Sequence, residues 1–184
     1  MDSSTEHARE AHISFTLSGG AAGQLIEYLE KNYRTRLWTD LPSLVETIES
    51  ISRDSTSYYP HLEEVLVHLR LLHNMLVEHM ESEEAKLFYP IRRAEKEYSP
   101  IKDGDNLKQL VRLMEYEHEL IKEGFLRIRH LCHGYHLSFN DAVLPELYER
   151  LRSCESLFLE QIKLEYELLF RRLLRKMDDR PETG

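Results

Sequence analysis

The stretch His79-Met-Glu-Ser-Glu83-Glu-Ala-Lys-Leu-Phe-Tyr-Pro90-Ile91 decides how the chain folds. Upstream of it, Leu62, Val65, Leu69, Leu72 and Leu76 recur at three- and four-residue spacing, the period of one helix face. That stripe continues through His79 and Glu83 and becomes apolar again at Leu87. The spacing predicts a helix from Pro60, suited to a first helical turn, to about Arg92. Its buried face carries an imidazole and a carboxylate.

Three more stretches show the same pattern. The first predicted helix runs from Ala21 to Arg53, with a kink expected at Pro42. On it Glu27, Glu30 and Arg34 precede Leu37, Leu41, Leu44 and Ile48. The third, from about Asp105 to Cys132, carries Leu107, Val111, Met114, His118, Ile121, Phe125 and Ile128, with Gly134 placed just past its end. The fourth, from Asn140-Asp141 to Met177, carries Leu147, Leu151, Cys154, Phe158, Gln161, Glu165 and Leu168. Short connections between long helices imply antiparallel neighbours, so the expected fold is an all-α, up-down-up-down four-helix bundle. It spans residues 21–177, after an N-terminal extension over 1–20 and before a loose tail over 178–184.

Composition agrees. The 184 residues include 30 Leu and 25 Glu against 6 Val and 7 Gly, so helix formers dominate and strand formers are scarce. A net charge of −9 with no basic stripe argues against nucleic acid. No uncharged run is long and apolar enough to span a bilayer, and residues 1–10 lack the apolar core of a signal peptide. Cys132 and Cys154 make no disulfide framework. A reduced, cytoplasmic setting is expected.

The polar interruptions fall at one height. His79 lies 13 residues before the end of its predicted helix, and His118 lies 13 after the start of the next. Arg34 lies 19 before the end of the first helix, and His79 lies 19 after Pro60. Across antiparallel neighbours these offsets bring the groups within about one turn of each other. Carboxylates in an apolar core cost several kcal/mol each unless compensated, at roughly the level set by burying charge. Two compensations remain open: a metal ion gathered by His and Glu from facing helices, or a metal-free layer of ion pairs that sets register.

The His79 to Ile91 stretch resembles the second-helix motif of hemerythrin-like (HHE cation-binding) domains. It is most similar to the repair-of-iron-centres family, which carries His-x-x-x-Glu before Leu-Phe-Pro. Glu117-His118, with Leu126-Arg127-Ile128-Arg129 after it, resembles the third-helix segment of that family, and Leu164-Glu165-Tyr-Glu-Leu-Leu-Phe170 the fourth. The resemblance implies a non-haem di-iron centre of four histidines and two bridging glutamates. It implies a role with O₂, NO or iron under oxidative or nitrosative stress. Carried over, His79, Glu83, His118 and Glu165 match metal-ligand positions. Two positions depart: Gln161 stands where the family has the fourth-helix His, and Arg34, beside Tyr33, where it has the first-helix His.

Two outcomes follow. A metal site persists on His79, Glu83, His118 and Glu165, either as a single ion or as a pair. Tyr33 or Glu30 and the Gln161 amide oxygen then substitute, and the oxygen-richer set favours Fe or Mn. A small diatomic ligand would be the partner. Alternatively Arg34, always charged and able to engage two carboxylates, replaces the metal charge in a metal-free interaction or regulatory bundle. An Arg34 guanidinium within hydrogen-bond reach of Glu83 or Glu165 favours the second. The remaining histidines read more simply. His130, His133 and His136 suit a helix C-terminus, and His61, His68 and His73 lie off the stripe. Nothing in the sequence orders a nucleophilic triad or a phosphate loop.

Overall fold

The computed structural model describes residues 22–53, 59–98, 104–136 and 143–178. The predicted extension over 1–20, most of the tail, the Asp54 to Tyr58 connection and the Asn140-Asp141 start lie outside them. Among the described residues the chain is helical throughout, in four long runs without a strand. Helix α1 (Ala22–Leu29) and α2 (Thr35–Arg53) form the first run, joined by a π-helical segment, Glu30–Arg34. Helix α3 (His61–Glu83) and α4 (Tyr89–Lys96) form the second, joined by π segment Glu84–Phe88. Helix α5 (Gly104–Leu131) is the third. Helix α6 (Leu144–Leu164), π segment Glu165–Phe170 and α7 (Arg171–Asp178) make the fourth. No helix among the described residues is long and apolar enough to cross a membrane.

The apolar stripes form one core. Leu62, Val65, Leu69, Leu72 and Leu76 are buried against Ile121, Phe125, Ile128 and the inner faces of the other runs. Complete burial of one Leu or Phe side chain contributes about 1.5–3 kcal/mol, so this cluster supplies the driving force for the fold. Helix α3 packs along α5 and α2, and α2 also packs on α6, whereas α5 and α6 meet over a shorter stretch. Gly124 permits the close approach of α5 to α3, because a Cβ there would lie 2.9 Å from the Leu72 side chain.

Some expectations move. The second run continues past Arg92 to Lys96, and α6 begins at Leu144 with Pro145 in its first turn. Helix α2 passes through Pro42 without ending, and the departure from α geometry in that run lies earlier, at Glu30–Arg34. Glu27, placed on the core stripe by its spacing, is exposed; Leu25, Ile26 and Leu29 take the inner face instead. Beyond α5 the left-handed backbone is shared by His133 (φ 51°), Gly134 (φ 71°) and Tyr135 (φ 61°), not confined to the glycine. Cys132 and Cys154 are buried and unbridged, and burial pushes both thiols up to about 12, as packing residues require.

Candidate metal centre

Five of the seven buried polar or charged side chains belong to one layer: His79, Glu83, His118, Gln161 and Glu165. Arg34 joins them from the first run and is 7% exposed. Of the four positions singled out from sequence, His79, Glu83 and His118 are brought together from two runs, and Glu165 approaches His118 from a third without joining that group. His79 and His118 meet across α3 and α5 with their Nε2 atoms 3.0 Å apart. Glu83 places Oε2 4.0 Å from His79 Nε2, and Glu165 places Oε2 3.3 Å from His118 Nε2. Donor atoms of His79, Glu83 and His118 all lie within 4.8 Å of one another.

These separations suit one small cation. Ligands on bonds of about 2.1 Å lie about 3.0 Å apart at right angles and about 4.2 Å apart across the ion. A second sign is the state of the carboxylates. Glu83 Oε1 and Gln161 Oε1 are buried without a hydrogen-bond partner among the described residues, as are Ser82 Oγ and Glu84 Oε2 close by in sequence, while Glu165 Oε2 has only the His118 ring, at 3.3 Å. Glu155, the other buried carboxylate, shows the contrast. It accepts bonds from Arg129 Nε at 3.2 Å, from Arg129 Nη2 and from the Tyr135 hydroxyl at 3.1 Å. A native core leaves few buried polar atoms unpaired, and a cation held by His79, Glu83 and His118 would offer the Glu83 carboxylate a partner.

Arg34 supplies part of that charge. Its Nη1 donates to Glu83 Oε2 at 3.3 Å, its Nη2 donates to the Met80 carbonyl, and its guanidinium lies 4.9 Å over the Phe88 ring. It reaches only one of the two carboxylates named for it. Glu165 is held instead by His118 and by the Gln161 amide, which donates to Oε1 at 2.8 Å. The layer therefore carries the carboxyl groups of Glu83, Glu165 and Glu117 against one guanidinium, so protonation of a carboxyl or a further cation must offset the remaining negative charge. The other first-run substitutes are engaged elsewhere: Glu30 with Arg92 at 2.8 Å, and Tyr33 against Tyr28 with ring centroids 6.0 Å apart.

Burial and the neighbouring Glu165 charge hold the Glu83 carboxyl well above its ordinary range, with Arg34 pulling the other way. For Glu165 burial also acts upward, but the His118 hydrogen bond, both histidines and Gln161 outweigh it and leave the carboxyl lowered. His79 is lowered by burial and by His118, with Glu117 opposing. The pair of carboxylates is thus driven apart, one toward its neutral form and one toward its charged form, as two like charges sharing a site require.

Two features of the centre were not legible in the sequence. Glu117, quoted there only beside His118, turns toward α3 and accepts from His79 Nδ1 at 2.8 Å. That bond fixes the tautomer so that His79 Nε2 presents its lone pair to the centre. Glu117→Gln is expected to weaken divalent-ion binding about 10- to 100-fold with the fold intact. Competition against a chromophoric chelator checks this, and unchanged affinity removes Glu117 from the site. The second feature is the π segments. Three of the four runs carry one at this layer: Arg34 ends the first, Glu83 precedes the second, and Glu165 opens the third. The last residues of two of them, Phe88 and Phe170, lie against Arg34 and stack on His118, the latter at 6.0 Å and 6°. Such segments are frequent at functional sites. No protein-family model matches the chain, and no curated protein matches it.

Proposed function

We propose that the protein is a hemerythrin-like four-helix bundle holding a single non-haem metal ion, iron or manganese, on His79, Glu83, His118 and Glu165. In this reading Arg34 would take the charge role of the resembled family's second ion, and Glu83, which accepts from Arg34, would also help hold the metal. The observation that carries it is the buried group of His79, Glu83 and His118, whose ligand atoms lie within 4.8 Å of one another, with Glu165 3.3 Å from His118 and Glu83 Oε1 left without a partner.

An up-down-up-down order is supported by the pairing of the runs. Arg34 meets Glu83 while Glu49 meets Arg70, so partner numbers fall along the second run as they rise along the first. The pairs Glu64 with Arg127 and His79 with His118, then Arg129 with Glu155 and His118 with Glu165, repeat the pattern. A bound ion of this kind supplies an open position for a small diatomic ligand, and handling of O₂, NO or iron is the activity proposed. The residues orient and insulate that position. Glu117 fixes His79, Phe158 and Phe170 flank His118, and the apolar core keeps bulk water from the carboxylates.

A second reading, a metal-free interaction or regulatory bundle, is favoured by the Arg34 to Glu83 pair itself. Metal analysis of protein purified anaerobically under iron-replete conditions separates the two. One ion per chain, lost in His118→Ala while the helical signal persists, is expected. No metal above trace in the wild-type chain, before and after reconstitution with Fe(II) or Mn(II), overturns the metal reading and leaves the second.

A further inference from the structure

A cleft of about 640 Å³ opens between α5 and the fourth run, and His118 forms part of its wall. Its size is that of a small-molecule site. Tyr116, Leu159, Ile162 and Tyr166 make it apolar, and Lys122 and Lys163 bring cations to it. Of its carboxylates, Glu119 is engaged by Lys122 at 2.6 Å, and Glu115 remains as an opposing charge. Tyr116, Leu159 and Tyr166 are each more than a third exposed, so this apolar wall is open to solvent.

The ring of His118 spans the cleft and the centre. Its Nε2 faces inward, to His79 and Glu165, and its Nδ1 meets no hydrogen-bond partner among the described residues. His79, by contrast, has its outer nitrogen satisfied by Glu117. Histidines that hold metal ions as a rule donate the other ring N–H to a carboxylate, a carbonyl or water. His118 is 4% exposed, so such an acceptor must reach it through a narrow opening.

We infer that the cleft binds a small monocarboxylate with an apolar body, its carboxylate accepting from His118 Nδ1–H beside Lys163, and that its occupancy is coupled to the metal centre. The inference rests on the metal reading above. The coupling follows from where one proton sits. Because His79 Nδ1–H is committed to Glu117, His79 Nε2 is an acceptor. Without an ion, neutral His118 donates its Nε2–H to that atom across 3.0 Å, and its Nδ1 is left with a lone pair that repels a carboxylate. With an ion on both Nε2 atoms, the His118 proton resides on Nδ1, which becomes a donor. The carboxylate therefore prefers the ion-loaded chain, and by linkage the ion is held more tightly when the cleft is filled. The apolar wall selects the body of the ligand, and Lys163 adds a charge-assisted contact.

Benzoate tests this, titrated by calorimetry into chelator-stripped chain and into Mn(II)-loaded chain whose metal content is measured on the same sample. Benzoate is expected to bind the loaded chain about tenfold or more tightly than the stripped one, within the usual range of coupling between sites. Benzyl alcohol, with the same body, is expected to show no such preference. Lys163→Met and the cleft-filling Leu159→Trp should each lose the tight binding while retaining Mn(II), and Glu115→Gln should strengthen it. Equal affinity for the two forms, or no binding to a chain that does hold Mn(II), sinks this inference alone. Tight binding that survives both Lys163→Met and Leu159→Trp places benzoate on the ion itself and also overturns it. Failure to load Mn(II) at all removes the metal reading, and the coupling with it.

Discussion

Arg34→Met is expected to destabilise the ion-free protein by about 3–5 kcal/mol at neutral pH, the cost of removing one partner from a buried ion pair. Glu83 is fully buried and the Arg34 side chain is 9% exposed, so little water can enter to replace the guanidinium. Three interactions are lost together: the bond to Glu83, the bond to the Met80 carbonyl and the packing on Phe88. Burial and the Glu165 charge already push Glu83 toward its neutral form, and without Arg34 it must either take up a proton or stay charged with no cation beside it. Adding Glu83→Gln to Arg34→Met removes the uncompensated charge and is expected to recover most of the stability. Urea denaturation of the four members of this double-mutant cycle gives the coupling directly. Additive effects, or a loss below about 1 kcal/mol, the level of an exposed pair, would show that Arg34 does not neutralise the layer.

On the proposed single-ion reading, Arg34→His together with Gln161→His is expected to raise the metal content from one ion per chain to two. Both positions lie in the buried layer, and both side chains now occupy space beside a carboxylate: Arg34 beside Glu83, Gln161 beside Glu165. Replacing the guanidinium by a neutral imidazole removes the fixed cation that excludes a second ion. Replacing Gln161 frees Glu165 Oε1 from the amide and adds a nitrogen donor four residues away on the same helix face. The arrangement then has four histidines and two carboxylates, with Glu83 and Glu165 able to bridge. Metal analysis after anaerobic Fe(II) reconstitution reads the stoichiometry. A double variant that is folded by circular dichroism but still takes no more metal than the wild type rejects the placement of Arg34 at a second-ion position. Each single substitution is expected to fall short: Gln161→His keeps the Arg34 cation that repels a second ion, and Arg34→His keeps the Gln161 amide on Glu165 Oε1.

The apolar stripes of the second, third and fourth runs were legible because they obey helical spacing through the polar layer. Every stripe residue named on them from Leu62 to Leu87, Leu107 to Cys132 and Leu147 to Leu168 is buried. The first run was less so. Glu27 kept the spacing yet lies outside, since the π segment after it changes the face that the preceding turns present. The approach of His79 to His118 and of Arg34 to the same layer was legible from matched heights, whereas the fourth helix fitted less tightly and Glu165 was named as a ligand through the resemblance. Their partners were not legible. Glu117 is adjacent to His118 in sequence and so looks off the stripe, yet it sits where α5 meets α3 and reaches His79. Glu155 follows Cys154 and is buried only because Arg129 and Tyr135 close over it, a contact between distant segments that periodicity cannot report.

The π segments also say how the shielding of the polar layer could change. A π turn holds one residue more than the α turn it replaces, and an α-helical residue advances by 100° and 1.5 Å. Loss of a single residue from 84–88 or 165–170 would let that run close into an unbroken α-helix. The chain beyond the excision would keep its rotational phase with the core, while Phe88 or Phe170 would leave its ring partner. The rings that flank the layer are thus placed by one-residue insertions, whereas His79, Glu83 and His118 sit on regular α-helix. A bundle with this packing can change the shielding of its polar layer by small length changes there, without redesign of its interior.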